Sequence, residues 1–565
     1  MDKILERPFL AVSILVILCA YLFFFKLGGM ALTDPDETFY AQTAKEMLNR
    51  GDWTTPYLFG KPQFEKPILI YWLIEFSYKI LGVNEAAARL PSAVFALIGV
   101  IAIYLLGKLL FSKRAGFLSA VILATNVEYI ILSRACITDM VLTAFMLLGI
   151  LFFFYGYLKG RGYFYILSSA AFGFAALAKG PIAVILPVAA FAVFLLLAKD
   201  PGRMKKIPLG WCVLVFILVA GPWYVTAYRL HGKAFIDAFF GFQNVTRFMQ
   251  SEHKIGSQVY YNIPVIFGGF LPWSVFLPFG FWHMVNKIRN TKYEIRNTND
   301  ERRTTRESAI FTLTWFFAIF LFFSASSTKL PTYVFPSFIS LALIVGVLWD
   351  DFLNIGKITG KVAAGVKVSF YLLVIAIIAG AIGVGLYLNH HNDMPEILPG
   401  AIISSVCLVP GFIISAVVFI KKRYTAAFFL IAASLLVFLL PLSSLVVPHI
   451  ERYEASKEVA QKLLPLMKDD DALGAQSNYL AGLAFYTGKF PQDVDKHQNM
   501  VDFFNSKKRV WGVIKYKNHR DLYNINLNTD YVRPSYLIYS IGKRAIVTNE
   551  APEDGVYLLK REFGK

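Results

Sequence analysis

Apolar runs of membrane-spanning length recur at roughly 9–27, 89–110, 116–133, 139–157, 163–178, 181–198, 207–229, 262–286, 308–325, 331–349, 364–388, 398–420 and 425–447, each close to the ~20 residues a helix needs to cross a bilayer core. The pattern predicts about thirteen transmembrane helices. Basic residues fall in every second connection: Lys113 and Arg114, Lys159 and Arg161, Lys199 to Lys206, Lys287 to Arg306, Lys357 and Lys361, and Lys421 to Arg423. The opposite short connections carry only Arg134, Lys179 and Lys329. The positive-inside rule then puts the amino terminus in the cytoplasm. With an odd number of spans, residues 28–88, 230–261 and everything after 448 lie outside it.

The polar pieces have patterns of their own. Pro35 to Asn49 places Tyr40, Ala44, Met47 and Leu48 on one face of a short helix, with Gly51 as its stop. Residues 66–81 are apolar but interrupted by Glu75 and Lys79, too short to span, and read as a helix lying along the bilayer surface. Past 448 the pattern mixes helices (Ala455 to Met467, Asn478 to Tyr486, Val501 to Ser506) with strands (Ala472 to Gln476, Arg509 to Lys515, Tyr536 to Ser540, Val556 to Lys560). The expected architecture is an all-α polytopic membrane protein, residues 1–447 including the external loop 28–88, followed by a small extracytoplasmic α/β domain, 448–565.

Composition agrees with that class. Of 565 residues, 56% are hydrophobic, with 51 Phe and 29 Tyr. The run 9–25 follows Lys3 and Arg7 without a small-x-small cleavage site, so it is expected to be retained as the first helix. Cys19, Cys136, Cys212 and Cys407 sit in or beside separate apolar segments without CxxC spacing, which argues against disulfides and a cysteine metal site. The net charge of +18 is spread over short loops and the tail, which membrane topology explains better than nucleic-acid binding. An odd helix count and the lack of an inverted repeat also argue against a transporter.

Four external stretches carry candidate chemistry. In Thr33 to Tyr40, Asp34 can serve as N-cap, Pro35 as first helical residue and Glu37 as capping-box partner. That helix-start reading leaves Asp36 over, on a first turn whose dipole favours an ionised carboxylate. Glu65-Lys66-Pro67 either presents an ammonium to a lipid phosphate or is a surface ion pair before a proline. Arg134 and Asp139 interrupt hydrophobicity for only a few residues, and Asp139 is either functional or the cap of the next helix. Arg247, in the loop Phe242 to Phe248, can grip a phosphate bidentately, and Lys179 and Lys329 add two lone cations on the same outer side. Together these groups suit a negatively charged lipid whose reactive end lies at the outer leaflet.

The strings Asp36-Glu37-x-x-Tyr40, Glu46-Met47-x-x-x-Gly51-Asp52-Trp53-x-x-Pro56, Gly60-x-Pro62-x-Phe64-Glu65-Lys66-Pro67, Tyr71-Trp72 and Ala88-Arg89-Leu90-Pro91-Ser92 resemble the first external loop of the bacterial aminoarabinose lipid A transferases. These belong, with the protein O-mannosyltransferases, to the polytopic (GT-C type) glycosyltransferases that use polyprenyl-phosphate sugars. The resemblance covers the membrane half and extends to the helix order and the external tail. It implies that Asp36 is the catalytic or acceptor-orienting aspartate and Asp139 a second essential one. Lys66 and Arg247 would hold the donor phosphate, with Glu37, Tyr40, Arg134, Lys179 and Lys329 about the substrates. Glu65 matches a residue able to contact a divalent metal, the one cofactor implied. Phe39 stands where arginine is usual, Gln63 where tyrosine is, and Gln243-Asn244 where Glu-His is common. The implied activity is inverting transfer of a sugar from a polyprenyl phosphate to an extracytoplasmic acceptor, at the outer face of a bacterial inner membrane. The sharpest version moves 4-amino-4-deoxy-L-arabinose from undecaprenyl phosphate to lipid A. The alternatives are another, mannose-like sugar moved to a protein, glycolipid or polysaccharide, a transporter of lipid-linked sugar, and a non-catalytic scaffold. No nucleic-acid partner is expected.

Overall fold

A computed structural model describes residues 5–199, 201–246, 249, 258–294, 300–354, 358, 360–390, 396–515, 536–541 and 544–550. The chain divides into two compact units. The first comprises Met1–Phe25, Phe64–Ile70 and Arg89–Leu442; the second comprises Lys26–Gln63, Tyr71–Ala88 and Ser443–Lys565. Most of the 28–88 loop, expected with the membrane helices, thus groups with the tail, while Phe64–Ile70 groups with the helices.

Among the described residues, eight helices are long and apolar enough to cross a membrane, and ten if each of two bent pairs is one span. Shorter apolar helices, Pro8–Phe24, Tyr163–Lys179 and Ile182–Ala198, occupy the other apolar runs of the sequence. The chain is a polytopic helical membrane protein with a small sheet near its carboxyl end.

The runs expected as straight helices at 116–133 and 262–286 are instead broken. Lys113–Ala124 and Val127–Ser133 meet at 66°, and Asn262–Gly269 and Trp273–Arg289 at 113°. Asn126 makes the first break: its side chain accepts from the Tyr129 N–H at 2.9 Å, capping the second helix. The same side chain donates to the Leu123 carbonyl at 2.7 Å, satisfying the end of the first. The two breaks then satisfy each other, since the Val127 N–H donates to the Leu271 carbonyl at 3.0 Å and Trp273 Nε1 donates to Thr125 Oγ1 at 3.0 Å. Backbone that leaves the helix inside a membrane protein needs such internal partners. At the helix ends that carry the basic connections, Arg203 pairs with Glu307 at 3.1 Å and Lys287 with Asp351 at 2.6 Å.

In the second unit the helix Asp36–Arg50 stops at Gly51, whose φ of 66° is the left-handed conformation glycine adopts without penalty. A small antiparallel hairpin follows, β1 (Tyr57–Leu58) and β2 (Lys61–Pro62). Its turn is held by the buried Glu46 carboxylate, which accepts the Phe59 and Gly60 N–H groups at 2.9 Å each. The helix Leu69–Leu81 covers most of the second interrupted run.

The tail folds around a five-stranded mixed sheet of β3 (Ala472–Ala475), β4 (Gln492–Asp493), β5 (Val510–Lys515), β6 (Tyr536–Ile541) and β7 (Arg544–Thr548), in the order β4-β3-β5-β7-β6. Strand β3 runs parallel to β4 and β5, and β7 antiparallel to β5 and β6. The period of two along β5 sends Trp511 and Val513 into one apolar cluster with Leu463 and Leu483, and Val510 and Ile514 into another with Met500 and Phe504. Strands β4 and β7 were not expected from the sequence, and the strand expected at 556–560 lies outside the described residues.

The orientation read from the basic loops has a direct check. With the four native cysteines replaced by Ala, a membrane-impermeant maleimide applied to intact cells is expected to label Gln498→Cys, exposed in the tail, and not Lys422→Cys, exposed in a basic connection. Labelling in the reverse pattern would invert the topology.

Candidate active site

The first unit encloses a cavity of about 480 Å³. Its polar lining comes from Glu65, Lys66, Lys179, Gln243, Ser326, Thr332 and Tyr333, and the remaining wall is mostly aliphatic and phenyl side chains, among them Met146, Ile185, Leu186 and Phe322. Three site residues expected from distant parts of the sequence, Glu65, Lys66 and Lys179, therefore share one chamber. A cavity with two ammonium groups at a polar part and a long apolar wall matches the chemistry of a phosphate attached to an isoprenoid chain.

Lys179 reaches the cavity because of how its helix ends. It is the last residue of Tyr163–Lys179, and Gly180 beyond it has a φ of 93°. A Cβ on Gly180 would lie 2.8 Å from the Phe239 ring, so both conformation and space demand glycine there. Pro181 then starts the next helix, Ile182–Ala198. The Lys179 ammonium lies 2.5 Å from Asp139 Oδ1, with side-chain exposures of 15% and 9%, and 5.1 Å from the centre of the Tyr333 ring. Asp139 occupies the first turn of Thr138–Lys159 and Lys179 the last turn of the following helix, so each charge sits at the helix end whose dipole favours it. Lys66 is held next to a ring cluster in which Phe64 lies 4.9 Å from His231 and 5.3 Å from Phe235. Its ammonium donates to the Glu65 carbonyl at 3.4 Å.

Other expected residues lie elsewhere. Lys329 is buried and donates to the carbonyl of Ser326, itself part of the cavity lining, at 2.7 Å, and burial lowers its pKa. Arg134 donates to the Leu22 carbonyl at 3.1 Å, and burial, with the Arg89 charge as a lesser cause, pushes its guanidinium down to about 10. Arg247 lies outside the described residues. Asp36, Glu37 and Tyr40 belong to the second unit. Asp36 is exposed at the first position of its helix. Glu37 is buried and accepts from the Thr33 N–H and hydroxyl at 3.0 Å each. Tyr40 is buried, 6.1 Å from Tyr71 between ring centres. The expected N-cap role of Asp34 is corrected: Pro35 is the N-cap residue with no side-chain cap. The Asp34 carboxylate instead accepts from Thr38 Oγ1 at 3.0 Å and Ser456 Oγ at 2.5 Å.

Among the described residues, the groups beside Glu65 do not by themselves make up a divalent-metal donor set. No group of three or more His, Cys, Asp or Glu side chains able to hold a metal occurs among the described residues. The charged lining beside Glu65 is cationic, Lys66 and Lys179, and Gln243 is an amide. Tyr333 and Ser326 were missed in the sequence. Both lie within a few residues of Lys329, and that proximity was the only signal they carried.

The Asp139–Lys179 pair generates a stability prediction. Removing one partner from a buried pair leaves an uncompensated charge, typically at a cost of about 3–5 kcal/mol. Lys179→Met is expected to lower the melting temperature of the detergent-solubilised protein, and Asp139→Asn/Lys179→Met to recover most of the loss. A double variant as unstable as the sum of the singles would contradict the pairing.

Comparison with known proteins fits this arrangement. Residues 65–225 match the family model for dolichyl-phosphate-mannose-protein mannosyltransferase. An uncharacterised protein of Aquifex aeolicus is 28% identical over 462 residues, covering 81% of this chain and 82% of the relative. The undecaprenyl phosphate-alpha-4-amino-4-deoxy-L-arabinose arabinosyl transferase of Pectobacterium atrosepticum is 27% identical over 430 residues, covering 73% of this chain and 72% of that protein. The crystal structure of ArnT from Cupriavidus metallidurans bound to undecaprenyl phosphate superposes with a TM-score of 0.77 at 20% identity, covering 96% of this chain and 98% of that one. The archaeal oligosaccharyltransferase AglB from Archaeoglobus fulgidus gives a TM-score of 0.52 at 12% identity, covering 97% and 74%. The chain thus has the fold of the GT-C type membrane glycosyltransferases, and in sequence it resembles the aminoarabinose transferases and the protein mannosyltransferases.

Proposed function

We propose that this protein is an inverting glycosyltransferase that takes a sugar from a polyprenyl phosphate, most directly 4-amino-4-deoxy-L-arabinose from undecaprenyl phosphate, and transfers it to lipid A at the outer face of the inner membrane. The observation that carries the reading is the cavity, whose otherwise largely apolar lining includes both Lys66 and Lys179. The likeness to the Pectobacterium transferase supports the choice of donor.

The chemistry asks little of the protein beyond charge and position. The bond between the anomeric carbon and the phosphate oxygen breaks as an acceptor oxygen bonds to that carbon from the opposite side, inverting it. The electron pair leaves with the phosphate. Lys66 and Lys179 stabilise the leaving phosphate in an apolar surrounding where such contacts are strong. Arg247, assigned from its sequence string, joins them. Asp36, also assigned from its string, takes the proton of a hydroxyl acceptor or orients a phosphate acceptor that is already anionic. Asp139 holds Lys179.

A second reading, transfer of a different sugar to another extracytoplasmic acceptor, is favoured by the match to the mannosyltransferase model and by the departures at Phe39, Gln63 and Gln243. Intact masses of lipid A and total lipids from cells with the gene present, deleted, or restored as Asp36→Asn separate the two. The expected result is an aminopentose increment on lipid A that disappears on deletion and does not return with Asp36→Asn. Loss of a sugar from another glycoconjugate with lipid A unchanged would favour the second reading.

In purified protein, Lys66→Met is expected to reduce the transfer rate by about 10²–10³-fold, the range for loss of one preorganised charge-stabilising donor. A rate within a few-fold of wild type would remove Lys66 from the donor phosphate.

A further inference from the structure

Asp34, two residues before Asp36, is buried in the second unit with 2% side-chain exposure, among groups supplied by the tail. Arg544, at the start of β7, is 3% exposed and places Nη2 3.6 Å from Asp34 Oδ2. Ser456 Oγ donates to the same oxygen at 2.5 Å. The other oxygen accepts from Thr38 Oγ1 within the Asp36–Arg50 helix. Arg544 also donates through Nη1 to the Ala455 carbonyl and lies 4.8 Å from the centre of the Tyr479 ring. The helix Leu480–Thr487 presses its backbone on this carboxylate, since a Cβ on Gly482 would fall 2.0 Å from Asp34 Oδ1.

The residues on either side are tied to the tail as well. Thr33 forms an isolated antiparallel bridge with Ala455, and the Leu32 N–H donates to the Tyr486 hydroxyl at 2.8 Å. Three consecutive residues, 32 to 34, are thus fixed by the tail just before the helix that begins with Asp36. The Asp34 carboxylate bonds to Ser456 on one side and Thr38 on the other, so it joins the tail to the first turn of that helix.

We infer that Asp34 and Arg544 are positioning residues: the tail sets the placement and charge environment of Asp36 through this buried ion pair. Neither touches substrate in this account. The pair balances the Asp34 charge, so that Asp36 does not lie beside a second uncompensated carboxylate, and it fixes the backbone from which Asp36 projects. A misplacement of about 1 Å at a reacting group can cost ~10²-fold in rate. The tail of the chain, whose part in the reaction is otherwise unassigned, thereby becomes part of the catalytic apparatus. The kinetic part of this inference rests on the proposed transferase activity.

The test uses the full-length protein in lipid nanodiscs with an undecaprenyl-phosphate sugar as donor. Arg544→Gln is expected to lower kcat about 10- to 100-fold while the donor KM stays within about twofold of wild type, as donor binding is assigned to the cavity residues. Arg544→Lys, which keeps the charge, is expected to recover part of kcat. The double variant Asp34→Asn/Arg544→Gln is expected to be no worse than Arg544→Gln alone, because the two act as one unit. An independent arm reads hydrogen exchange: in Arg544→Gln the amides of residues 32–40 are expected to exchange faster, while those of Thr138–Lys159 keep wild-type rates. This arm stands whatever the donor proves to be. Unchanged kcat in Arg544→Gln with active wild type overturns the inference, as does a loss of kcat that spares exchange at 32–40. General acceleration of exchange in both segments means a merely structural role and also overturns it. A wild-type protein with no transfer at all overturns the proposed activity instead, leaving the exchange arm to decide the positioning.

Discussion

A charge placed inside a membrane-spanning helical unit has to be partnered, and the Asp139–Lys179 pair shows how this chain meets that demand. An isolated ammonium or carboxylate with exposures of 15% and 9% would be costly in such surroundings. Here the two charges lie at adjacent ends of consecutive helices, where the macrodipoles favour both. The sharp exit at Gly180 keeps Lys179 at the cavity wall instead of carrying it onward into the next helix. The same pair gives the cavity its chemistry. Under the proposed activity, an arriving donor phosphate would compete with Asp139 for the ammonium, and the charge needed for the leaving group would be held in a satisfied form until then.

Irregular backbone follows the same economy of partners. The breaks at 125–126 and 270–272 expose peptide groups that a straight helix would satisfy by itself, and each break supplies what the other lacks through Val127–Leu271 and Trp273–Thr125. Asn126 is the residue on which the first break turns, donating to one helix and capping the other.

How legible these features were depended on whether their cause was local. Apolar length is a local property, so the helical series could be read from the sequence; so could the Gly51 stop and the strand at Val510–Lys515. Breaks inside apolar runs were not legible, because Asn126 and Pro272 look like ordinary interruptions until their partners across the fold are known. Strand β7 begins with a charged residue that is nevertheless buried, and only its sheet neighbours on both sides reveal it. Among candidate site residues, Glu65, Lys66 and Lys179 were found as chemically exposed positions in outer loops, and their sharing of one cavity is a tertiary fact. Tyr333 had no charge to draw attention. The local chemistry of Asp34 suggests a helix cap; its carboxylate does accept from Thr38 within the helix, but its other oxygen accepts from Ser456, 422 residues further on.

The departures from the aminoarabinose pattern divide by what they touch. Gln63 stands where a tyrosine is usual, and it donates to the Tyr71 hydroxyl at 2.8 Å. Phe39, in place of arginine, packs edge-on against Tyr40 at 5.3 Å and replaces a charge by apolar contact. Gln243 lines the cavity as a neutral amide where a carboxylate would have opposed Lys66 and Lys179. The last change makes the cavity more cationic and so favours a phosphate there, whichever sugar the phosphate carries. The first two remove or relocate groups of a kind that recognises polar substituents. The lipid-phosphate part of the proposed substrate therefore rests on residues that are present, and discrimination among sugars and acceptors on those that differ.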